Sequence, residues 1–93
     1  MEARGRQIAR LLGYPASARL TSGDLNAGVL ANPERVAEGL VDEAFASDDV
    51  SSGEEARAFV EERIAEWEGV LEGAVRNRLA SLASVEIQRR APS

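Results

Sequence analysis

From Gly53 to Ala83 the chain has no proline, and Val60, Ile64, Trp67, Leu71, Val75, Leu79 and Leu82 recur there at intervals of three and four. An α-helix turns once every 3.6 residues, so this spacing places them on one stripe. A strand, which alternates with a period of two, has no use for such a pattern. Phe59, Val70 and Ala74 widen the stripe, and Gly69 and Gly73, four apart, read as positions of close helix packing. The spacing predicts one long helix, C, over about 53–83 or beyond, and with it an all-α fold.

The rest of the chain reads as shorter helices. Helix A is expected over about 2–12, ended by Gly13 ahead of Tyr14 and Pro15. A weak short helix is expected over about 22–31, capped by Thr21 or Ser22 and weakened by Gly23 and Gly28, each costing about 1 kcal/mol relative to Ala. Helix B, about 33–46, has Asn32 as N-cap and Pro33 at its first position, where the missing N–H is not needed. Val36, Ala37, Leu40, Val41, Ala44 and Phe45 form its apolar face, opposite Glu34, Arg35, Glu38, Asp42 and Glu43. Ser52 with Glu55 three residues on is a capping-box signature for the start of helix C. The tail, 84–93, alternates apolar and polar residues and could fray, continue the helix or pair as an edge strand.

Ninety-three residues imply one domain, 1–93. Lengths then create a problem. A helix from Gly53 to Arg89 would span about 55 Å at 1.5 Å per residue, which helices A and B, at about 17 and 21 Å, cannot cover. The expectation is therefore short N-terminal helices packed on one long C-terminal helix, a helical hairpin or small bundle completed by oligomerisation. Trp67, Leu71, Val75, Leu79 and Leu82 are the expected interface.

Composition removes most chemistry. The chain has no Cys, no His and no Lys. Disulfides, thiolate or imidazole metal sites, His acid–base catalysis and Schiff-base chemistry all need one of those residues. Carboxylates are plentiful, but the Glu-x-x-Glu and Glu-x-x-Asp pairs with which the all-α nucleotide pyrophosphohydrolases hold Mg²⁺ do not occur. Neighbouring acids on a helix point about 100° apart, so they read as a solvated face. No catalysis, cofactor or metal site is expected. No stretch approaches the roughly 20 apolar residues that span a bilayer, and no secretory signal is visible, so the expected location is the cytoplasm or a particle assembled there, with no membrane partner.

Charge is segregated. The net of -5 divides into +2 over residues 1–31, -5 over 32–50, -5 over 51–72 and +3 over 73–93. This gradient along helix C suits the macrodipole and would also favour antiparallel pairing with a second copy.

Two local resemblances bear on function. Gln7-Ile8-Ala9-Arg10-Leu11-Leu12-Gly13-Tyr14 resembles the first helix and turn of a helix-turn-helix DNA-binding motif. That resemblance implies phosphate contacts from Arg4, Arg6, Arg10 and Arg19. Trp67-Glu68-Gly69 is similar to the Trp-x-Gly signature of small secreted helical-hairpin proteins, where it lies in the turn between two helices. Here the helical pattern runs through it, so Trp67 reads as a core or interface anchor, with Arg63 on its indole face. Together these features lead to a non-catalytic helical protein–protein interaction or assembly protein, an adaptor or structural subunit binding itself or a larger complex. The alternative is a small helix-turn-helix transcriptional regulator that binds nucleic acid.

Overall fold

The computed structural model describes residues 3–91. In chain order these form α1 (Ala3–Leu11), α2 (Ser22–Ala31), α3 (Pro33–Ala46), α4 (Gly53–Ala65) and α5 (Gly73–Arg90). No strand forms among the described residues, and none of the helices is long and apolar enough to cross a membrane. The proposed start of helix A at residue 2 and the end of the tail, 92–93, lie outside the described residues.

The single helix expected over 53–83 is two helices, and this is the main correction to the sequence reading. α4 ends at Ala65, and a seven-residue turn, 66–72, leads into α5. Gly69 makes the reversal: its φ of +89° lies in the left-handed region, where a side chain would be strained. The helical period survives because Trp67 and Leu71, in the turn, keep the phase of Ile64 before them and Val75 after them. Periodicity alone cannot separate one straight helix from two that fold back on the same face.

Folding back also solves the length problem within one chain. Gly53 lies beside Ile87 and Ala91, and Arg57 Nη2 donates to Ser84 Oγ at 2.7 Å, so α4 and α5 run antiparallel. The α4–α5 hairpin replaces the 55 Å rod, and the molecule measures 40 × 25 × 19 Å with a radius of gyration of 12.7 Å. Of the three outcomes open to the tail, residues 84–90 continue the helix, and Ile87 is buried there.

Helix starts follow from local chemistry. Thr21 caps α2 in a full capping box: its Oγ1 accepts from Asp24 N at 3.1 Å, and Asp24 Oδ2 accepts from Thr21 N at 2.9 Å. At α4, Ser52 Oγ accepts from Glu55 N at 3.2 Å, but the Glu55 carboxylate reaches past Ser52 to Ser51 N at 3.2 Å. Both carboxyls are held below the usual carboxylate range, Asp24 by the Thr21 backbone N–H and hydroxyl, Glu55 by the Ser51 hydroxyl and N–H. Asn32 does occupy the N-cap of α3, with Pro33 following, yet its side chain makes no capping bond. It stands between two helices, and its backbone N–H is committed to Gly28 O at the end of α2.

α3 lies against both arms of the hairpin, burying Val36, Ala37, Leu40, Val41 and Ala44 while Phe45 is half-buried. Its far end is fastened to α5 by Asp42, which accepts from Arg90 and raises the Arg90 pKa further. Glu86, on the buried face of α5, is satisfied by Arg89 Nη1 at 3.2 Å and faces Arg90 Nε at 3.6 Å. α1 and α2 close the other end, sending Ile8, Leu25 and Val29 into the shared core.

Candidate functional site

Four of the five residues expected at an intermolecular interface are buried within the single chain. Trp67 is 0% exposed, Leu71, Val75 and Leu79 are buried, and Leu82 is half-buried. Within the single chain the hairpin covers most of the stripe. The Trp67 indole N–H donates to Gln7 Oε1 at 3.3 Å, which fastens the 66–72 turn to α1. Arg63, expected on the indole face, lies 5.2 Å from the centroid of the Phe59 ring, four residues back on its own helix.

The helix-turn-helix geometry does not form. Such a motif joins its helices through a turn of three or four residues, whereas ten residues, 12–21, separate α1 from α2. The N-terminal turn of α2, which would enter the major groove, is occupied within the molecule. Ser22 Oγ and Asn26 Nδ2 both donate to Val70 O, and Asn26 Oδ1 accepts from Glu72 N at 2.8 Å. α2 also carries Asp24 and no basic residue.

The arginines of that reading divide between two tasks. Arg4 Nη1 donates to Glu66 O and Glu68 O, both at 3.1 Å, and so ties α1 to the turn. Arg10 Nη2 pairs with Glu43 Oε1 of α3 at 3.1 Å while its side chain remains 71% exposed. Arg6 and Arg10 line an open groove of about 540 Å³ along α1, together with Ala3, Gln7, Tyr14 and Pro15. An adjoining hollow of about 520 Å³ shares Arg6 and Ala16 and continues over Arg19 and Leu20.

Tyr14 owes its outward position to how α1 ends. Gly13 N donates to Arg10 O and Tyr14 N to Ala9 O, both at 3.0 Å, which is the paired bonding of a Schellman motif. The motif requires a left-handed residue, supplied by Gly13 at φ +90°, and a Cβ there would also meet the Arg35 guanidinium at 2.5 Å. The chain then turns sharply, Pro15 prevents another helical turn, and Tyr14 is left 45% exposed beside the arginines.

From Ala3 to Thr21 the sequence holds Arg4, Arg6, Arg10 and Arg19 and no acid. On the α4 side, Glu61, Glu62, Glu66, Glu68 and Glu72 are exposed. The molecule therefore presents an arginine–tyrosine groove against a generally acidic background. Sequence reasoning named Arg6 and Arg10 as nucleic-acid contacts but passed over Tyr14 and Gln7. The Leu12-Gly13-Tyr14-Pro15 run held the signal for Tyr14, because a C-cap glycine followed by an aromatic and a proline puts that aromatic outside the helix. Gln7 gave none, since its partner lies sixty residues away in sequence. Among the described residues, no group of three or more acids converges as a metal site would require, and every buried side-chain nitrogen and oxygen has a hydrogen-bond partner. Comparison with protein-family models, with curated proteins and with solved structures gave no match to this chain.

Proposed function

We propose that the protein is a non-catalytic interaction and assembly module that takes an acidic segment of a protein partner in the groove of α1 and the 12–21 loop. One observation carries this reading: Tyr14, a large aromatic left half in solvent, stands in a groove with Arg6 and with Arg10, which also pairs with Glu43. Tyr and Arg are the side chains that concentrate binding energy at protein interfaces, because each offers a broad rigid surface together with directional hydrogen bonds. A guanidinium can grip a carboxylate with two parallel bonds, and Arg is the only basic side chain in this sequence.

Burial supports the same reading from the other side. The polar side chains of the interior fasten helices and the turn, whereas Tyr14 remains 45% exposed. A groove as open as this one suits a segment of chain laid across it better than an enclosed small molecule.

The test is fluorescence anisotropy with a labelled peptide rich in Glu and Asp, against the same peptide with Gln and Asn. The acidic peptide should bind and the neutral one should not. Tyr14→Ala and Arg6→Glu should each weaken binding at least tenfold, and Tyr14→Ala should leave the melting temperature nearly unchanged, as expected for an exposed side chain. A duplex DNA of the same length serves as control. Tight, salt-dependent binding to it through the same arginines, with no peptide binding, would replace this reading by the regulator.

A further inference from the structure

We propose that two copies of this chain pair through the groove between α3 and α5, a face separate from the α1 groove, about a two-fold axis running along the helices. Each protomer then lays its α5 on α3 of the other.

The groove is an open hollow of about 250 Å³, with Glu34, Ala37 and Glu38 on its α3 wall and Leu82 and Val85 at the centre of its α5 wall. The two helices run parallel, because Asp42, late in α3, accepts from Arg90 at the end of α5, while Glu34, at the start of α3, shares the groove with Leu82, about two turns before Arg90. Val85 is 57% exposed, and Leu82 is the one residue of the five expected at an interface that the chain leaves half-open. Arg78, Leu82, Val85 and Arg89 are spaced four, three and four apart, so they share one stripe of α5. That stripe is an apolar pair with an arginine at each end.

Charge says what covers it. Arg89 is already bonded to Glu86, and Arg90 to Asp42, so neither pair calls for a partner. Glu34 and Arg78 are exposed, and among the described residues their side chains make no hydrogen bond or ion pair. The α3 wall thus calls for an occupant with apolar side chains and a free cation, and the α5 stripe of a second copy has both. A two-fold interface requires a face complementary to itself. With the axis across the helices, α5 would meet α5 antiparallel, and Leu82 against Val85 would bring Arg78 against Arg89. With the axis along the helices, α5 meets α3, and the unpaired Arg78 comes within one helical turn of the level of the unpaired Glu34, once on each side of the axis. Opposite charges select the second arrangement. The stripe from Arg78 to Arg89 is about 17 Å long, short for a standard interface of about 800 Å² from each partner, so the pair is a weak one.

Sedimentation equilibrium on the full chain, from about 0.01 to 1 mM, covers the range in which a weak interface forms. The mass should rise with concentration toward twice the 10.0 kDa of one chain. Val85→Glu should remain a monomer throughout, folded by circular dichroism. Arg78→Glu alone and Glu34→Arg alone each set like charges together at both symmetric contacts and should raise the dissociation constant about tenfold or more. Mixed in equal amounts they restore opposite charges at both contacts, and the dimer should return. Tyr14→Ala, on the other groove, should dimerise as the wild type does. A wild-type chain that stays monomeric at 1 mM, or a Val85→Glu variant that dimerises as the wild type does, overturns the proposal. So does a dimer that Arg78→Glu strengthens, which is the mark of α5 on α5, or one that Tyr14→Ala abolishes.

Discussion

The two ends of the molecule are held together by different chemistry. α3, α4 and α5 meet through apolar side chains, with Leu40, Val41, Val60, Leu79 and Ala83 fully enclosed among them. α1, the 12–21 loop and α2 also send Ile8, Leu25 and Val29 inward, but their placement depends on polar bonds to main chain far away in sequence. Arg4 reaches the carbonyls of Glu66 and Glu68, Ser22 that of Val70, and Asn26 both Val70 and Glu72. Apolar packing is tolerant of direction, whereas a hydrogen bond fixes distance and angle. The polar bonds therefore fix where α1 and α2 sit relative to the 66–72 turn.

The strongest way to break this contrast is to empty the core. Trp67→Ala should cost about 3 to 5 kcal/mol and Leu40→Ala about 2 to 5 kcal/mol, because both leave cavities in fully buried positions. Denaturant unfolding should show both ends of the molecule lost in one transition, since they share that core. A small loss in either variant would mean that the interior is not packed as described.

Asn26→Ala should have a smaller and more local effect. It removes the acceptor of Glu72 N and a donor to Val70 O, at about 1 to 3 kcal/mol for polar groups left without partners. Hydrogen exchange should quicken in α2 and the 66–72 turn and remain slow in α3. Equal loosening of α3 would show that the two ends are not separable in this way. Gly69→Ala is the matching test of the turn itself. No other atom lies within 4 Å of the position its Cβ would take, so the cost of about 1 to 2 kcal/mol comes from the left-handed backbone alone. The melting temperature reports it, and Gly69→Asn should recover part of the loss, because Asn tolerates that region.

The smallest expected effect is on pH dependence. Asp24 and Glu55 both have folded-state pKa values below those they take in an unfolded chain. Their contribution is therefore complete above the usual carboxylate range and is lost as pH falls through and below it. Thr21→Ala removes the hydroxyl that Asp24 pairs with and should flatten part of the acid-induced fall in melting temperature. Asn26→Ala should leave that slope as it was. A Thr21→Ala slope identical to the wild type would remove the capping box from the account of how α2 is held.

Much of the secondary structure was legible in the sequence because its causes are local. Pro33 after Asn32 opens α3, Ser52 with Glu55 opens α4, and Gly13 closes α1, each through bonds made within a few residues. The apolar stripes followed from the helical period in the same way. The break after Ala65 was not legible, because Trp67 and Leu71 hold the helical phase through it. The candidate site was half legible. Its arginines were named only through the helix-turn-helix resemblance, Tyr14 was not connected with them, and residues 66–72 were assigned to the middle of a continuous helix.

What the sequence determined by itself is helical character, the positions of most helix starts, the exclusion of chemistry that needs Cys, His or Lys, and the separation of charge along the chain. These depend on side-chain identity and on spacing within one or two helical turns. Only the tertiary structure decided that the long stripe folds into a hairpin, that Trp67 is interior, and that Arg4 and Gln7 tie α1 to the 66–72 turn. The physical reason is distance along the chain. A stripe specifies that a face must be buried but not by what, and the bonds that settle it join Arg4 to Glu68 and Asn26 to Glu72, pairs that no local pattern connects.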